Sequence, residues 1–190
     1  MRTVSFATSL IALAFSLPLA AGAANPQVEI KTSMGSMVVE LYADKAPKTV
    51  DNFLTYVKAH FYDGTIFHRV IPGFMIQGGG FTKDLDQKPT RPPIEHEGAA
   101  CGTNDLGTLA MARTGDPNSA TSQFFINVVN NARLNYTMPP QGWGYCAFGR
   151  VVKGMDVAQK IVAVPTSPVG QHQNLPKETI TIESIALITK

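Results

Sequence analysis

Residues with which enzymes commonly bind metals or form covalent intermediates are scarce in this sequence. Its 190 residues include two cysteines and four histidines, and the histidines do not have the spacing of zinc ligands. A Gly-x-Ser-x-Gly motif for a serine nucleophile is absent from the sequence. The triplet Gly78-Gly79-Gly80 lacks the lysine and the spacing of a phosphate-binding loop, so we predict a tight turn there. We therefore expect neither a metal nor a cofactor.

The sequence also has little net charge. Lysine and arginine total 16 against 14 aspartate and glutamate, and the basic residues do not cluster. Nucleic-acid binding normally requires a concentrated basic surface, because neutralising phosphates supplies much of the affinity. The composition therefore argues against a nucleic-acid partner.

Only one long apolar run occurs, and it lies near the N-terminus. Arg2 precedes apolar residues 4–19, and small residues follow at 20–24. This order is typical of a secretory signal peptide, whereas a membrane-spanning helix needs ~20 apolar residues. We predict a signal peptide over residues 1–23 and a single domain over residues 24–190. Cleavage after Ala24 and an uncleaved anchor are the alternatives. The cleaved protein would not remain in the membrane.

Export would place Cys101 and Cys146 in an oxidising compartment, where two cysteines can form one bridge. However, Cys146 lies in a strand-like segment, where cysteine can serve as a small buried hydrophobic residue. The sequence does not show whether the two Cα atoms lie within the ~4.4–6.8 Å that a disulfide requires. We favour unpaired cysteines and keep the disulfide as the alternative.

The remaining sequence is dominated by strand patterns. Eight segments combine alternating apolar residues with flanking turn residues. They lie at residues 28–32, 37–41, 66–70, 74–77, 107–112, 123–128, 147–152 and 179–188. Helical spacing occurs from Pro47 to about His60, with Asp44 as the predicted N-cap, and over 155–164. These patterns predict a mainly β domain, either a barrel or a sandwich.

The most unusual segment is FHRVIPGFMIQGGG at residues 67–80. In a regular strand Arg69 would lie on the face opposite His68. After the Pro-Gly turn, Met75 and Gln77 would share one face, and Phe74 would lie on the other. A guanidinium and an amide beside Phe and Met side chains suit an apolar ligand that carries an amide group. The alternative is a buried strand pair in which Arg69 forms an ion pair with a carboxylate.

This segment resembles a signature of the cyclophilins, a family of peptidyl-prolyl cis-trans isomerases. Residues 107–113 with 119–127, and then 148–156, resemble two further signatures in the family's order, and the similarity extends from about residue 27 to the C-terminus. The resemblance implies a closed eight-stranded antiparallel barrel capped by two α-helices, with the ligand on its outer face. It is greatest to exported bacterial cyclophilins. That implies a periplasmic protein whose partners are proline-containing peptides and unfolded exported proteins. A monomer is the default expectation.

A prolyl isomerase needs little chemical machinery. The two X–Pro isomers differ by ~1 kcal/mol, yet they exchange over tens to hundreds of seconds because amide resonance imposes a barrier of ~18–20 kcal/mol. Acceleration to a turnover near ~10 per second requires ~4 kcal/mol. A charged hydrogen bond worth ~1.5–3 kcal/mol, together with desolvation of the amide, can supply this.

The resemblance also assigns the site residues. Arg69 would be the catalytic residue, because its guanidinium would donate to the prolyl nitrogen as the bond twists. Gln77 would hold the substrate carbonyl, and Phe124 would face the core. The other substrate-binding residues would be Phe74, Met75, Ala112, Arg113, Thr114, Gln123, Phe125, Leu134 and Tyr145. Ala112, Arg113 and Thr114 would contribute through their backbone.

Two positions depart from the family's pattern. Arg133 precedes Leu134 where many members have Trp or Phe, and Tyr145 stands where many have His. Loss of this aromatic wall predicts weak binding of the cyclic-peptide inhibitor cyclosporin with isomerase activity retained, unless Trp143 compensates. The alternative function is a periplasmic chaperone or binding module that holds proline-containing segments with little turnover.

Overall fold

The structure is a computed structural model that describes residues 25–189. The predicted signal peptide over residues 1–23 lies outside this range. Within it, no helix combines the length and the apolar character needed to cross a membrane.

Ten strands and two α-helices make up the described chain. In order they are β1 (Gln27–Thr32), β2 (Gly35–Leu41), α1 (Pro47–Lys58), β3 (Thr65–Ile71), β4 (Met75–Thr82), β5 (Thr108–Met111), β6 (Phe124–Asn127), β7 (Ala147–Lys153), α2 (Met155–Val162), β8 (Thr166–Val169), β9 (His172–Pro176) and β10 (Thr181–Leu187). Eight of the strands close an antiparallel barrel in the order β1-β10-β3-β4-β6-β5-β7-β2. The predicted mainly β, eight-stranded barrel with two helices is therefore confirmed, and the sandwich is wrong.

Side chains fill the interior of the barrel. Inward-facing Ile30, Val39 and Ile76 have no exposed surface, and they belong to one cluster with Phe53 of α1 and Ile161 of α2. Because the wall of strands is closed, helix residues can join this cluster only at the openings of the barrel. The packed interior leaves the outer face for a ligand.

The N-terminus of α1 is capped from a distant part of the chain. The two carboxylate oxygens of Glu97 accept hydrogen bonds from the backbone N–H groups of Lys48 and Thr49, each at 2.9 Å. Ala46 is the N-cap residue and makes no side-chain cap, so the predicted role of Asp44 is wrong. A carboxylate here satisfies N–H groups that have no partner within the helix and faces the positive end of its dipole.

A β-bulge interrupts the regular alternation of β3. Phe67 pairs with Gly78 and Arg69 pairs with Gln77, which leaves His68 as the extra residue. Phe67 and Val70 consequently both pack in the interior, whereas His68 and Arg69 both line an outer cavity. The prediction that His68 and Arg69 lie on opposite faces is wrong for this reason.

The glycine triplet lies inside β4 and does not form the predicted turn. Gly79 has a φ of 81°, a left-handed conformation that glycine adopts without strain. A Cβ at Gly80 would overlap the side chain of Gln123. The missing side chain therefore leaves room for Gln123 beside the strand.

The strands β8 and β9 form a two-stranded hairpin outside the barrel. It was not predicted, because Pro168, Gly170 and the polar residues around them are typical of a loop. The hairpin packs against β3 through β9, and His172 contacts His68 at the bulge.

Cys101 and Cys146 form a disulfide, with an S–S distance of 2.01 Å and Cα atoms 5.1 Å apart. The preference for unpaired cysteines is therefore wrong. Cys146 immediately precedes β7 rather than lying within it, and the N–H of Gly102 donates to the carbonyl of Ala147 at 2.9 Å. This backbone contact holds the two cysteine-bearing segments side by side.

Candidate active site

A second apolar cluster lies on the outer face of the barrel. It has four buried members and several partly buried residues packed around them, including Phe74, Leu134 and Tyr145. The buried members are Met75, Ala110, Phe125 and Ala147. Strand alternation separates this cluster from the interior, since Phe124, next to Phe125, belongs to the interior as predicted.

Phe74 joins the outer cluster even though we predicted it on the face opposite Met75. It precedes the first residue of β4, and its N–H donates to the carbonyl of Ile71 at 3.1 Å within the connecting turn. Alternation applies only within an extended strand, so the turn permits Phe74 and Met75 to reach the same cluster.

The outer cluster surrounds a cavity of about 120 Å³. A cavity of ~150 Å³ is large enough to hold a benzene ring in another protein, so this one suits a small ring. All of its lining residues were among the predicted site residues. They are Arg69, Phe74, Met75, Gln77, Phe125, Leu134 and Tyr145. We call it the ring cavity.

A chain of hydrogen bonds forms the polar edge of the ring cavity. The Arg69 guanidinium donates from Nη1 to Oε1 of Gln77 at 3.2 Å, and Gln77 donates from Nε2 to Oε1 of Gln123 at 3.0 Å. The register of β3 against β4 places Arg69 opposite Gln77. Among the ion pairs of residues 25–189 none includes Arg69, so the alternative of a buried Arg69–carboxylate pair is wrong.

Arg113 contacts the site through its side chain. Its guanidinium lies 4.7 Å from the centre of the Tyr145 ring, and Nε and Nη2 donate to the carbonyl of Gly144 at 2.9 and 2.7 Å. The Tyr145 ring in turn packs edge-on against Phe125, with centroids 5.5 Å apart. Only backbone contacts were predicted for Arg113, and its role in positioning Tyr145 has no signal in the sequence.

The other two residues of the 112–114 segment lie beside the ring cavity rather than in its lining. Ala112 packs against the outer cluster, and its N–H donates to the carbonyl of Gln123 at 2.9 Å. The N–H of Thr114 donates to Oγ of Ser119 at 2.9 Å. These internal bonds occupy two N–H groups, so peptide contacts from this segment must use its other backbone groups.

Arg133, which departs from the family pattern, and Trp143, the residue that could compensate for it, occupy different places. The Arg133 guanidinium lies 4.8 Å from the centre of the Phe74 ring, at the edge of the ring cavity. Trp143 instead packs against His96 and Tyr136, with centroids 5.8 and 6.1 Å away. Trp143 is therefore not positioned to replace an aromatic residue at position 133.

The arrangement can surround a small apolar ring and donate hydrogen bonds to an amide beside it. Within residues 25–189 no cluster of three or more His, Cys, Asp or Glu residues has the arrangement of a metal site. Fold and site together suit a barrel protein that binds an amide-containing ligand on its outer face.

Comparison with known proteins identifies the family. The family model described as cyclophilin type peptidyl-prolyl cis-trans isomerase/CLD matches residues 27–187. The chain therefore belongs to the cyclophilin family of peptidyl-prolyl cis-trans isomerases.

Bacterial relatives are similar over most of their length. A peptidyl-prolyl cis-trans isomerase of Acinetobacter baylyi is 54% identical over 86% of this chain and 86% of its own length. Peptidyl-prolyl cis-trans isomerase B of Escherichia coli is 54% identical over 84% of this chain and 98% of its own. Peptidyl-prolyl cis-trans isomerase A of Dickeya dadantii is 47% identical over 100% of this chain and 98% of its own.

Solved structures share the fold. A cyclophilin-type isomerase of Cryptosporidium parvum superimposes with a TM-score of 0.72 at 28% identity, covering 87% of this chain and 99% of that protein. The same isomerase in the presence of the dipeptide Ala-Pro gives a TM-score of 0.71 at 28% identity, over 86% and 99% of the two chains.

Proposed function

We propose that this isomerase acts in the periplasm, where it accelerates X–Pro rotation in exported proteins as they fold, with Arg69 as its catalytic residue. Uncatalysed prolyl isomerisation takes ~10–100 s, which is slow enough to limit the maturation of a secreted chain. The observation that carries the catalytic part is the Arg69–Gln77 pair on the edge of the ring cavity.

In this mechanism the proline ring enters the ring cavity against Phe74, Met75 and Phe125. The Arg69 guanidinium donates to the prolyl nitrogen, whose lone pair localises only when the peptide bond is twisted. The hydrogen bond is consequently stronger in the transition state than in either planar isomer, and this difference lowers the barrier.

Gln77 and Gln123 complete the mechanism. Gln77 holds Arg69 in place and receives the substrate carbonyl, while Gln123 fixes the orientation of the Gln77 amide. Exchange spectroscopy by NMR on a short X–Pro peptide, with parent and Arg69 variant, tests the assignment.

Peptide recognition has independent support from a relative. The Cryptosporidium parvum isomerase, which shares the fold, was crystallised in the presence of Ala-Pro. A proline-containing peptide is thus the proposed substrate class here, and unfolded exported proteins would present it.

The periplasmic location rests on two observations. The apolar run and small-residue exit of residues 1–23 are typical of a signal peptide. The Cys101–Cys146 disulfide is the kind of bond that persists in oxidising compartments and is rare in the cytosol.

We expect the chain, when produced in a bacterium with an outer membrane, to be recovered from the periplasm beginning at Ala24. Mass spectrometry of the intact protein in each cell fraction measures this. A chain starting at residue 24 is the matched control and should remain in the cytoplasm. Recovery of the parent in the cytoplasm with residues 1–23 still attached would contradict the proposal.

We expect cyclosporin to inhibit the enzyme only weakly, because Arg133 stands where an aromatic wall would contact the inhibitor. Titrating cyclosporin against the isomerisation rate measures this. The Arg133→Trp variant should bind cyclosporin at least ~10-fold more tightly than the parent does, since a well-packed aromatic side chain in an interface contributes ~2 kcal/mol or more. Half-inhibition of the parent at nanomolar concentrations would overturn the expectation.

A chaperone that holds proline-containing segments with little turnover is the alternative. It would use the ring cavity but would not depend on the Arg69 guanidinium. The two functions are therefore separated by the Arg69→Ala variant.

A further inference from the structure

Arg69 separates the ring cavity from a second, larger cavity. The second cavity has a volume of about 360 Å³ and lies between β3 and the β8–β9 hairpin. Its lining residues are His68, Arg69, Phe81, Gln171, His172, Gln173 and Asn174. We call it the hairpin cavity. Because Arg69 lines both cavities, a peptide bound at the ring cavity can extend directly into the hairpin cavity.

The β3 bulge gives the hairpin cavity a buried polar wall. His68 is turned outward beside Arg69 and has only 4% of its surface exposed. Its ring packs against Phe81 and His172, with centroids 4.6 and 5.7 Å away. Within the described structure its buried Nδ1 has no hydrogen-bond partner. The imidazole therefore makes this wall of the cavity polar as well as aromatic.

Burial is also the main cause of a lowered His68 pKa, which falls to about 4. The nearby His172 and Arg69 add to the effect, and a hydrogen-bonding contact with the backbone of Ile66 opposes it. The imidazole is therefore neutral at physiological pH. A neutral imidazole has one N–H donor and one acceptor, so it can donate to a ligand oxygen without carrying a charge.

The lining of the hairpin cavity is rich in donors and has no acidic side chain. Arg69 contributes a guanidinium, and Gln171, Gln173 and Asn174 contribute amide groups. Guanidinium and amide N–H groups are the donors that bind carboxylates, and Arg69 adds a positive charge. The chemistry of the wall therefore fits a carboxylate better than an ammonium group.

The sheet order fixes which part of a bound peptide reaches the hairpin cavity. The barrel places β5, β6, β4 and β3 side by side. Ala112 directly follows the last residue of β5, and the hairpin cavity lies at the β3 side, where Phe81 of β4 also lines it. Three strand spacings of ~4.8 Å separate β5 from β3, and an extended peptide covers this distance with about four residues. Since the ring cavity lies between the two ends, the hairpin cavity is reached within about three residues of the proline.

We propose that the hairpin cavity is a subsite for a carboxylate of the substrate, carried within about three residues of the proline on one side only. That side is opposite to the flank held near Ala112 and Gln123. The inference rests on the proposed placement of the proline ring beside Arg69. It makes the enzyme selective for X–Pro bonds with an acidic neighbour.

Matched peptides test the subsite. Each pair carries Glu or Gln at one position, up to three residues before or after the proline, and both ends are blocked. The ratio of kcat/KM within each pair is the readout. We expect a Glu-to-Gln ratio of about five on one side of the proline and a ratio of about one on the other side. A five-fold effect corresponds to a partly exposed charge contact. A Glu-to-Gln ratio that is the same at every position, whatever its value, would overturn the proposal.

Isosteric variants locate the effect. Gln171 and Gln173 are exposed, so the Gln171→Glu/Gln173→Glu double variant should fold normally while it places two negative charges at the cavity. We expect it to abolish or reverse the preference for Glu. Gln27→Glu introduces one such charge on β1, across the barrel from β6, and should retain the preference. A preference that survives in the double variant would show that the carboxylate binds elsewhere.

Two further arms complete the test. A neutral peptide with Ala before proline should be turned over equally by the parent and the Gln27→Glu variant. In the double variant the rate with this peptide is the baseline for its Glu and Gln peptides, because Arg69 lines both cavities. If the parent does not turn over the neutral peptide, the result counts against the proposed function alone. NMR titration with the Glu and Gln peptides would then still measure binding at the subsite. Free and amidated C-termini distinguish a terminal carboxylate from an acidic side chain as the bound group.

Discussion

Replacing Arg69 with alanine should slow the isomerisation of a short X–Pro peptide by ~10- to 150-fold while leaving the fold intact. The range corresponds to the loss of one charged hydrogen bond worth ~1.5–3 kcal/mol in the transition state. Arg69 is exposed and packs in neither apolar cluster, so truncation leaves no cavity in the core. Exchange spectroscopy by NMR at saturating and subsaturating peptide separates kcat from KM, and we expect the loss in kcat.

Two other substitutions serve as controls for Arg69. Arg150 is an exposed arginine on β7 that does not line the ring cavity, and Arg150→Ala should leave the rate unchanged. Arg69→Lys keeps the positive charge but loses the rigid planar fork, so it should restore little of the activity. An Arg69→Ala variant that isomerises at the parental rate would exclude Arg69 as the catalytic residue. Background rates in both proteins, with peptide still bound, would instead favour the chaperone.

Removing the Cys101–Cys146 disulfide should lower the free energy of unfolding by ~4 kcal/mol. The bridge joins residues 45 apart in sequence, and cross-linking a loop of that length reduces the entropy of the unfolded chain by about this amount. Single domains are stable by only ~5–15 kcal/mol, so the loss would be a large part of the total. Urea unfolding of the Cys101→Ala/Cys146→Ala variant, compared with the parent, measures the effect.

Reducing agent provides the control for the disulfide. Dithiothreitol should lower the urea midpoint of the parent toward that of the double variant and leave the variant itself unchanged. Equal midpoints for parent and variant under oxidising conditions would contradict the expectation. Because Cys146 directly follows Tyr145, the reduced protein also tests whether the bridge supports the ring cavity.

The sequence predicted those features that depend on regular alternation or on long motifs. Strand patterns located the eight barrel strands, and the resemblance identified every residue that lines the ring cavity. Phe124 and Phe125 show why this succeeded, since neighbours in a regular strand must face opposite ways.

The failures occur where contacts between distant segments decide the outcome. His68 faces outward because a bulge adds a residue to β3, and bulges have no reliable signature in one sequence. Glu97 caps α1 from far along the chain, so a search for a local capping residue selected Asp44 instead. The disulfide depends on the pairing of Gly102 with Ala147, which local patterns do not reveal.

Adjacent residues on one strand of this barrel contribute to different properties of the protein. On β6, Phe124 faces inward and Phe125 faces the ring cavity. A change at Phe124 disturbs the packed interior, whereas a change at Phe125 alters the outer cluster that forms the ring cavity. Peptide preference can therefore be redesigned at outward positions without repacking the interior of the barrel.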